Sequence, residues 1–375
     1  MRKTLLAMGI AIASCIIPAS AKAASFEALN IFGDSLVDTG NLFTLTSAFA
    51  DQGIPALPPS PPYAQKNSNG PIWIDNVGQS LGLSPTLVTD LQLDPTTPAP
   101  TQGINYAFAG ALSSDIHILD SVAPPLADLL PGFQEQVETA TAIATNIPIN
   151  PNALNVVWVG ANDYNEAFFS PESLGGLTLE ALPNAVTDNV INGLTQLHSL
   201  GAREFLVPNI PPIEEAPVAN FLDAQAQQDI SSILEQLVGA HNALLSAKLD
   251  AFEQSKPDTN IIRLDINTLI EDIVADPDAF GLANVTDTCL TNFQPGFLFE
   301  GICDNPDEFL FWDDVHPTTA AYQIVSDFAI EAISEGKTPA SVPEPGSLMA
   351  LFFSFAIGTG ALAKRSTSKA AVVGD

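Results

Sequence analysis

The sequence predicts an α/β fold: a parallel sheet with helices on both faces. Three observations carry this. Short apolar runs of strand length alternate with longer segments of helical spacing. One run, Leu154-Asn155-Val156-Val157-Trp158-Val159, is apolar almost without a break, as a strand buried on both faces requires. Three strand-like runs end in small or polar residues: Gly33-Asp34-Ser35, Gly110-Ala111 and Gly160-Ala161-Asn162-Asp163. Such ends gather at one rim of an open sheet, where ligands bind.

Phe26, Leu29, Ile31 and Phe32 give the first strand its bulk, and Gly33 breaks it. Asp38, Thr39, Gly40 and Asn41 are residues of caps and turns. Residues 42–70 read as a long connection, because Pro55, Pro58, Pro59, Pro61 and Pro62 forbid a regular helix or central strand. Starting beside Ser35, it is expected to wall a pocket. Trp73, Val77 and Leu81 then share one helical face. Residues 103–111 read as a short strand ending in small residues, and 128–146 as a helix. After the apolar strand at 154–159, a helical pattern spans 184–200 and stops at Gly201. Phe205-Leu206-Val207 is the next strand, a single long helix is expected over about 223–253, and Ile261-Ile262-Arg263-Leu264 follows as a strand. Residues 277–310 look irregular and crowd Phe280, Phe293, Phe297, Phe299 and Phe309 together, with Phe311 just beyond. They serve equally as a satellite hydrophobic cluster or as an apolar wall for a substrate. Thr318 and Thr319 open a last helix. No internal repeat is present.

The 375 residues carry 12 Lys and Arg against 43 Asp and Glu, a net charge of -31. Such acidity repels phosphate backbones and argues against nucleic-acid binding and against charge-driven binding to anionic membranes. Cys289 and Cys303 lie close together and are expected to pair in an oxidising compartment, closing a loop worth about 3 kcal/mol. Neither has a further Cys or His at ligand spacing, so a zinc site is not expected.

The ends differ from the middle. Arg2 and Lys3, an apolar run from Leu5 to Pro18, and Ala21-Lys22-Ala23 read as a secretory signal over 1–23. Ile12-Ala13-Ser14-Cys15 also resembles a lipobox, which would lipidate Cys15. Removing both ends leaves roughly 320 residues, residues 24–341, enough for one large α/β domain or two small ones.

Ser35, Asp313 and His316 supply the parts of a nucleophilic triad. A serine hydroxyl needs a base within hydrogen-bond reach, itself oriented by a third group. Asp313 lies three residues before His316, a spacing that lets a turn bring the carboxylate to Nδ1 and leave Nε2 for Ser35. Asp314 is the adjacent alternative. A Gly-Asp-Ser by itself serves as readily as a helix N-cap, and Asn162 as an Asx-turn. His117, His198 and His241 look like packing or surface residues. The backbone N–H groups of Ser35 and Gly110 and the side-chain amide of Asn162 are candidate oxyanion donors.

The ordered set Phe32 to Asn41, Asn105 to Ala111, Gly160 to Asp163 and Asp313 to His316 resembles the GDSL lipolytic family of the SGNH hydrolase superfamily over about residues 26–333. The resemblance implies a three-layer α/β/α sandwich with a parallel, flavodoxin-like sheet. It implies Ser35 as nucleophile, Asp313 and His316 as its partners, Gly110 and Asn162 in the oxyanion hole, and no cofactor or metal. Ala109 departs from relatives that often carry a second glycine there, which should only perturb the local turn. Ester hydrolysis is expected, on a lipid or an acylated saccharide. Acyl transfer to a sugar or lipid alcohol, or a non-catalytic surface role on the same scaffold, are the alternatives.

Val342-Pro343-Glu344-Pro345, the apolar stretch Ser347 to Ala363, and Lys364-Arg365 resemble the PEP-CTERM sorting signal of Gram-negative bacteria. That would make 342–366 a sorting signal or membrane-spanning segment and 367–375 a tail. It implies processing by an exosortase-type enzyme, transient membrane association, and delivery to the cell surface or extracellular matrix. A plain C-terminal anchor is the alternative.

Overall fold

The structure is a computed structural model and describes residues 26–336 apart from 93–97, 121–125, 127–128 and 295. The leader with Cys15, the 342–366 segment and the tail lie outside the described residues. No helix among the described residues is long and apolar enough to cross a membrane.

Six strands form the central sheet: β1 (Ala28–Gly33), β2 (Thr86–Leu87), β3 (Ile104–Asn105), β4 (Ala153–Trp158), β5 (Glu204–Pro208) and β6 (Asn260–Leu264). Their order is β2-β3-β1-β4-β5-β6, and every pair is parallel. Without the two-residue β2, this is the flavodoxin-like order, which reverses direction at β1. The expected parallel α/β architecture is therefore present. β1 and β4 are buried along their whole length and pair in register from Ala28 with Ala153 to Gly33 with Trp158.

The helices are α1 (Asn41–Ser47), α2 (Trp73–Leu81), α3 (Phe133–Ile143), α4 (Ala161–Phe169), α5 (Leu182–Ser199), α6 (Pro217–Ala226), α7 (Ile230–Ser255), α8 (Ile266–Ala275) and α9 (Thr319–Glu335). Strand side chains alternate between two cores. Leu29, Ile31, Leu154, Val156 and Leu206 pack with α2, α8 and α9. Phe32, Val157, Phe205 and Val207 pack with α3, α5 and the second half of α7. This period-two partition makes three layers out of one sheet. Asn30 and Asn155, opposite each other in the register, bury an amide pair at 3.0 Å, and Asn155 also bonds the Glu204 carbonyl.

Several elements differ from the sequence expectation. The helix expected over 223–253 is two helices. Gln227 turns left-handed at φ 52°, Asp223 accepts the Ile230 and Ser231 N–H groups, and Asp229 caps α7 through the Ser232 N–H. Apolar spacing continues through the break, which hides it. α1 occupies the start of the expected connection, because the prolines begin only at 55 and Asp38 caps its first turn. α4 replaces the isolated turn at Asn162, and α8, capped by Asp265, was not anticipated.

The 277–310 region is only partly irregular. β7 (Asn284–Thr288) pairs with β10 (Phe309–Phe311), and β8 (Leu290–Thr291) with β9 (Gly301–Ile302). A disulfide joins Cys289 to Cys303. The phenylalanines divide. Phe293, Phe297, Phe299 and Phe309 pack around Tyr63, Leu290 and Trp312, while Phe280 and Phe311 join the main core.

Candidate active site

Ser35 stands on the turn after β1. Gly33 makes the turn possible: its φ is 147°, and a Cβ there would lie 1.9 Å from the Trp158 carbonyl oxygen on the adjacent strand. The chain leaves the sheet here, and Asp34 O accepts the N–H groups of Val37 and Asp38 at 3.1 and 2.9 Å.

Asp38 ties this turn to the glycine block. Its carboxylate accepts the N–H groups of Gly40, Asn41 and Leu42 at the head of α1, and of Ala109 at 2.9 Å. Asn41 donates to the carbonyls of Asn105 and Ala107, and Asn105 donates to Val37 O and Thr39 Oγ1. Two blocks some 70 positions apart in the sequence thereby hold one geometry. Gly110 takes φ 95°, where a Cβ would meet the His117 ring at 2.8 Å. His117 is a scaffold residue: Nε2 donates to Ala109 O at 2.7 Å and Nδ1 accepts the Leu119 N–H. Burial pushes its pKa down to about 4, so it stays neutral. His241, bonded to Tyr164 Oη, is likewise buried and pushed down to about 3.

Asn162 lies in the first turn of α4 and donates to Ala111 O at 3.0 Å. Asp163 beside it accepts both N–H and Oγ of Ser113, fastening α4 to the glycine block. Burial pushes the Asp163 carboxyl up to about 6. The backbone N–H groups of Ser35 and Gly110 make no hydrogen bond among the described residues.

His316 reaches Ser35 from a loop before α9. Nε2 lies 2.8 Å from Ser35 Oγ, between residues 281 positions apart. Nδ1 lies 2.8 Å from Asp313 Oδ2 and 2.9 Å from Oδ1. Asp313 Oδ1 also accepts the N–H groups of Val315 and His316, and Oδ2 accepts Tyr63 Oη–H at 2.7 Å. Asp314 makes no bond to His316; burial and the charge of Asp313 push its carboxyl up to about 7. Burial opposes charge on the His316 ring, but the carboxylates of Asp313, Asp314 and Asp34 outweigh it and hold the pKa above the ordinary value. Burial would also raise Asp313; the His316 charge and hydrogen bonds from the His316 ring and the Val315 and His316 N–H groups bring it below the ordinary value.

The structure thus brings Ser35, Asp313 and His316 into hydrogen-bonded contact and sets Gly110 and Asn162 beside them. Tyr63 went unnoticed in the sequence. It belongs to the proline-rich connection, which walls the pocket as expected, but nothing local marks it as a partner of Asp313. Tyr63 packs edge-on against Phe297 and Trp312, so the disulfide-closed loop supports it.

A cleft of about 320 Å³ leads to these residues, lined by Gly110, Ile118, Phe169, Phe293 and Phe297. A second, smaller cavity of about 70 Å³ also borders Ser35 and His316. A hydroxyl bonded to an imidazole, itself bonded to a buried carboxylate, can attack a carbonyl carbon. The adjacent free N–H groups suit an oxyanion.

Residues 29–328 match the protein family described as GDSL-like Lipase/Acylhydrolase. Among curated proteins, the chain is similar to a GDSL esterase/lipase of Arabidopsis thaliana, 29% identical over 342 residues, covering 83% of this chain and 91% of the relative. A second from the same plant is 26% identical over 330 residues, covering 82% and 89%. Among solved structures, a member of the lipolytic protein G-D-S-L family from Veillonella parvula aligns with a TM-score of 0.36 and 13% identity, covering 81% of this chain and 96% of that one.

Proposed function

The chain belongs to the GDSL-like lipase/acylhydrolase family, and we propose that within it this protein is an exported serine hydrolase that cleaves carboxylic esters. The observation that supports this most is the line from Ser35 Oγ through His316 to Asp313, with both steps at 2.8 Å.

In this reading His316 Nε2 takes the Ser35 proton as Oγ bonds to the ester carbonyl carbon. Asp313 holds Nδ1–H and stabilises the imidazolium. The carbonyl oxygen becomes an oxyanion and accepts from the N–H groups of Ser35 and Gly110 and from the Asn162 amide. Collapse breaks the bond to the alcohol, which leaves with the proton from His316. Water then gives its proton to His316 and attacks the acyl-enzyme; as the acyl–Oγ bond breaks, His316 returns that proton to Ser35 Oγ and the acid is released.

Export rests on the leader over 1–23 and gains support from the Cys289–Cys303 disulfide, which persists in oxidising compartments. Sorting through the 342–366 segment rests on its sequence alone, as does an exosortase-type partner.

A fluorophosphonate probe on the folded, full-length protein should label Ser35, and Ser35→Ala should abolish both labelling and p-nitrophenyl ester turnover. The expected loss is on the order of 10⁴-fold or more. An unlabelled Ser35 with no turnover on any ester would leave the fold as a non-catalytic scaffold.

A further inference from the structure

We propose that the inner cavity is the acyl-binding slot, which makes esters of straight acyl chains longer than acetyl the preferred substrates; this rests on the hydrolase reading above. The outer cleft and the inner cavity share Ser35, Asn162, Asn165, Val315 and His316, so they meet at the reacting atoms. Beyond that junction the inner cavity is bordered by the end of β4, the loop after β5, and helices α8 and α9. Its walls include Trp158, Ile213, Ala216, Ile270, Leu310 and Val325, none more than 6% exposed.

The chemistry assigns the two spaces. The alcohol leaves as soon as His316 protonates it, and water must take its place beside the same nitrogen. Both events need a route to solvent. The outer cleft supplies one: it is several times larger, and Ile118 and Phe169 on its wall are 36% and 37% exposed. The acyl group stays bonded to Ser35 through both steps, so the less open of the two spaces suits it. Apolar walls reward each methylene that leaves water, by about fourfold in kcat/KM for a gain of ~0.8 kcal/mol. With about 70 Å³ against about 320 Å³ in the outer cleft, the smaller space favours a slender, unbranched chain over a bulky one. Sequence left the phenylalanine-rich segment equally open as a satellite cluster or as an apolar substrate wall. Phe293 and Phe297 line the outer cleft, on the alcohol side.

The test is kcat/KM on p-nitrophenyl acetate, butyrate, hexanoate, octanoate and trimethylacetate for wild type, Ala216→Leu, Ile270→Val and Phe297→Ala. Wild type should gain about fourfold per methylene until the slot is full and should prefer butyrate to trimethylacetate. Ala216→Leu should cut the hexanoate-to-acetate ratio tenfold or more. Ile270→Val, a mild change that keeps the fold if Ala216→Leu does not, should raise the octanoate-to-hexanoate ratio up to about fourfold. A flat profile, or a chain-length preference that follows Phe297→Ala and ignores both slot variants, overturns the slot while fluorophosphonate labelling and acetate turnover keep the hydrolase. Absence of label and of turnover on every ester overturns both.

Discussion

Asp34→Asn should flatten part of the dependence of stability on pH. Asp34 precedes Ser35 and is 1% exposed. Its Oδ1 accepts the Leu36 N–H at 3.0 Å, and its Oδ2 has no hydrogen-bond partner among the described residues. Burial pushes the carboxyl up to about 7, against the pull of the Leu36 N–H and the His316 charge. In the unfolded chain an aspartate titrates near about 3.9. Between those values the unfolded chain has released its proton and the folded chain has kept it. Raising the pH through this window therefore favours unfolding: the contribution is intact below about pH 4 and is lost by the time the pH has passed about 7. Three units at 1.36 kcal/mol each give about 4 kcal/mol. Asparagine has no proton to lose. Its amide, placed where Oδ2 lacks a partner, costs about 1–3 kcal/mol, but equally at every pH. Urea unfolding of both proteins from pH 4 to pH 8 isolates the one group. The variant should gain about 4 kcal/mol on wild type across that range. Parallel stability curves would refute the reasoning, because they would mean that Asp34 is already ionised in the folded state at pH 4.

Asn162→Ala should lower kcat by about 10²–10³ with little change in KM, and a loss below tenfold would remove the amide from the oxyanion site. Because His316 is held above its ordinary value, kcat/KM should reach half its maximum above pH 6.5, with activity rising as the imidazole loses its proton; a midpoint below 6.5 would contradict the carboxylate cluster around it. Tyr63→Phe removes one charge-assisted bond to Asp313 and keeps the ring, so urea unfolding should show a loss of about 1.5–3 kcal/mol. Cys289→Ser with Cys303→Ser opens a closure across a separation of 14 residues and should cost about 3 kcal/mol by the same measurement.

The sheet was legible because strands buried on both faces announce themselves locally. The run at 154–159 and the strands around Ile31, Leu206 and Ile262 are contiguous apolar segments, and their alternation with helices leaves few arrangements. The helix boundaries were less legible. Asp223 and Asp229 interrupt 223–253 through side-chain bonds to N–H groups, while Leu222, Ile230 and Leu234 keep the apolar rhythm on either side. The site blocks were readable as residue types: a serine on a strand end, an Asp three before a His, an Asn after a glycine. Asp38 and Asn41 look like ordinary turn residues in sequence, and only their bonds to Ala109, Asn105 and Ala107 show that they couple two blocks.

The sequence by itself determined the layered α/β plan and the small set of residue types suited to acyl chemistry, since both are written in residue type and short-range spacing. Tertiary structure alone decided that Ser35 and His316 meet at 2.8 Å, that Tyr63 rather than a neighbour in the chain completes the Asp313 shell, and that the phenylalanines divide between core, loop and cleft. Those contacts join positions up to 281 residues apart. Their distances are set by how all three layers pack at once, and no local segment carries that information.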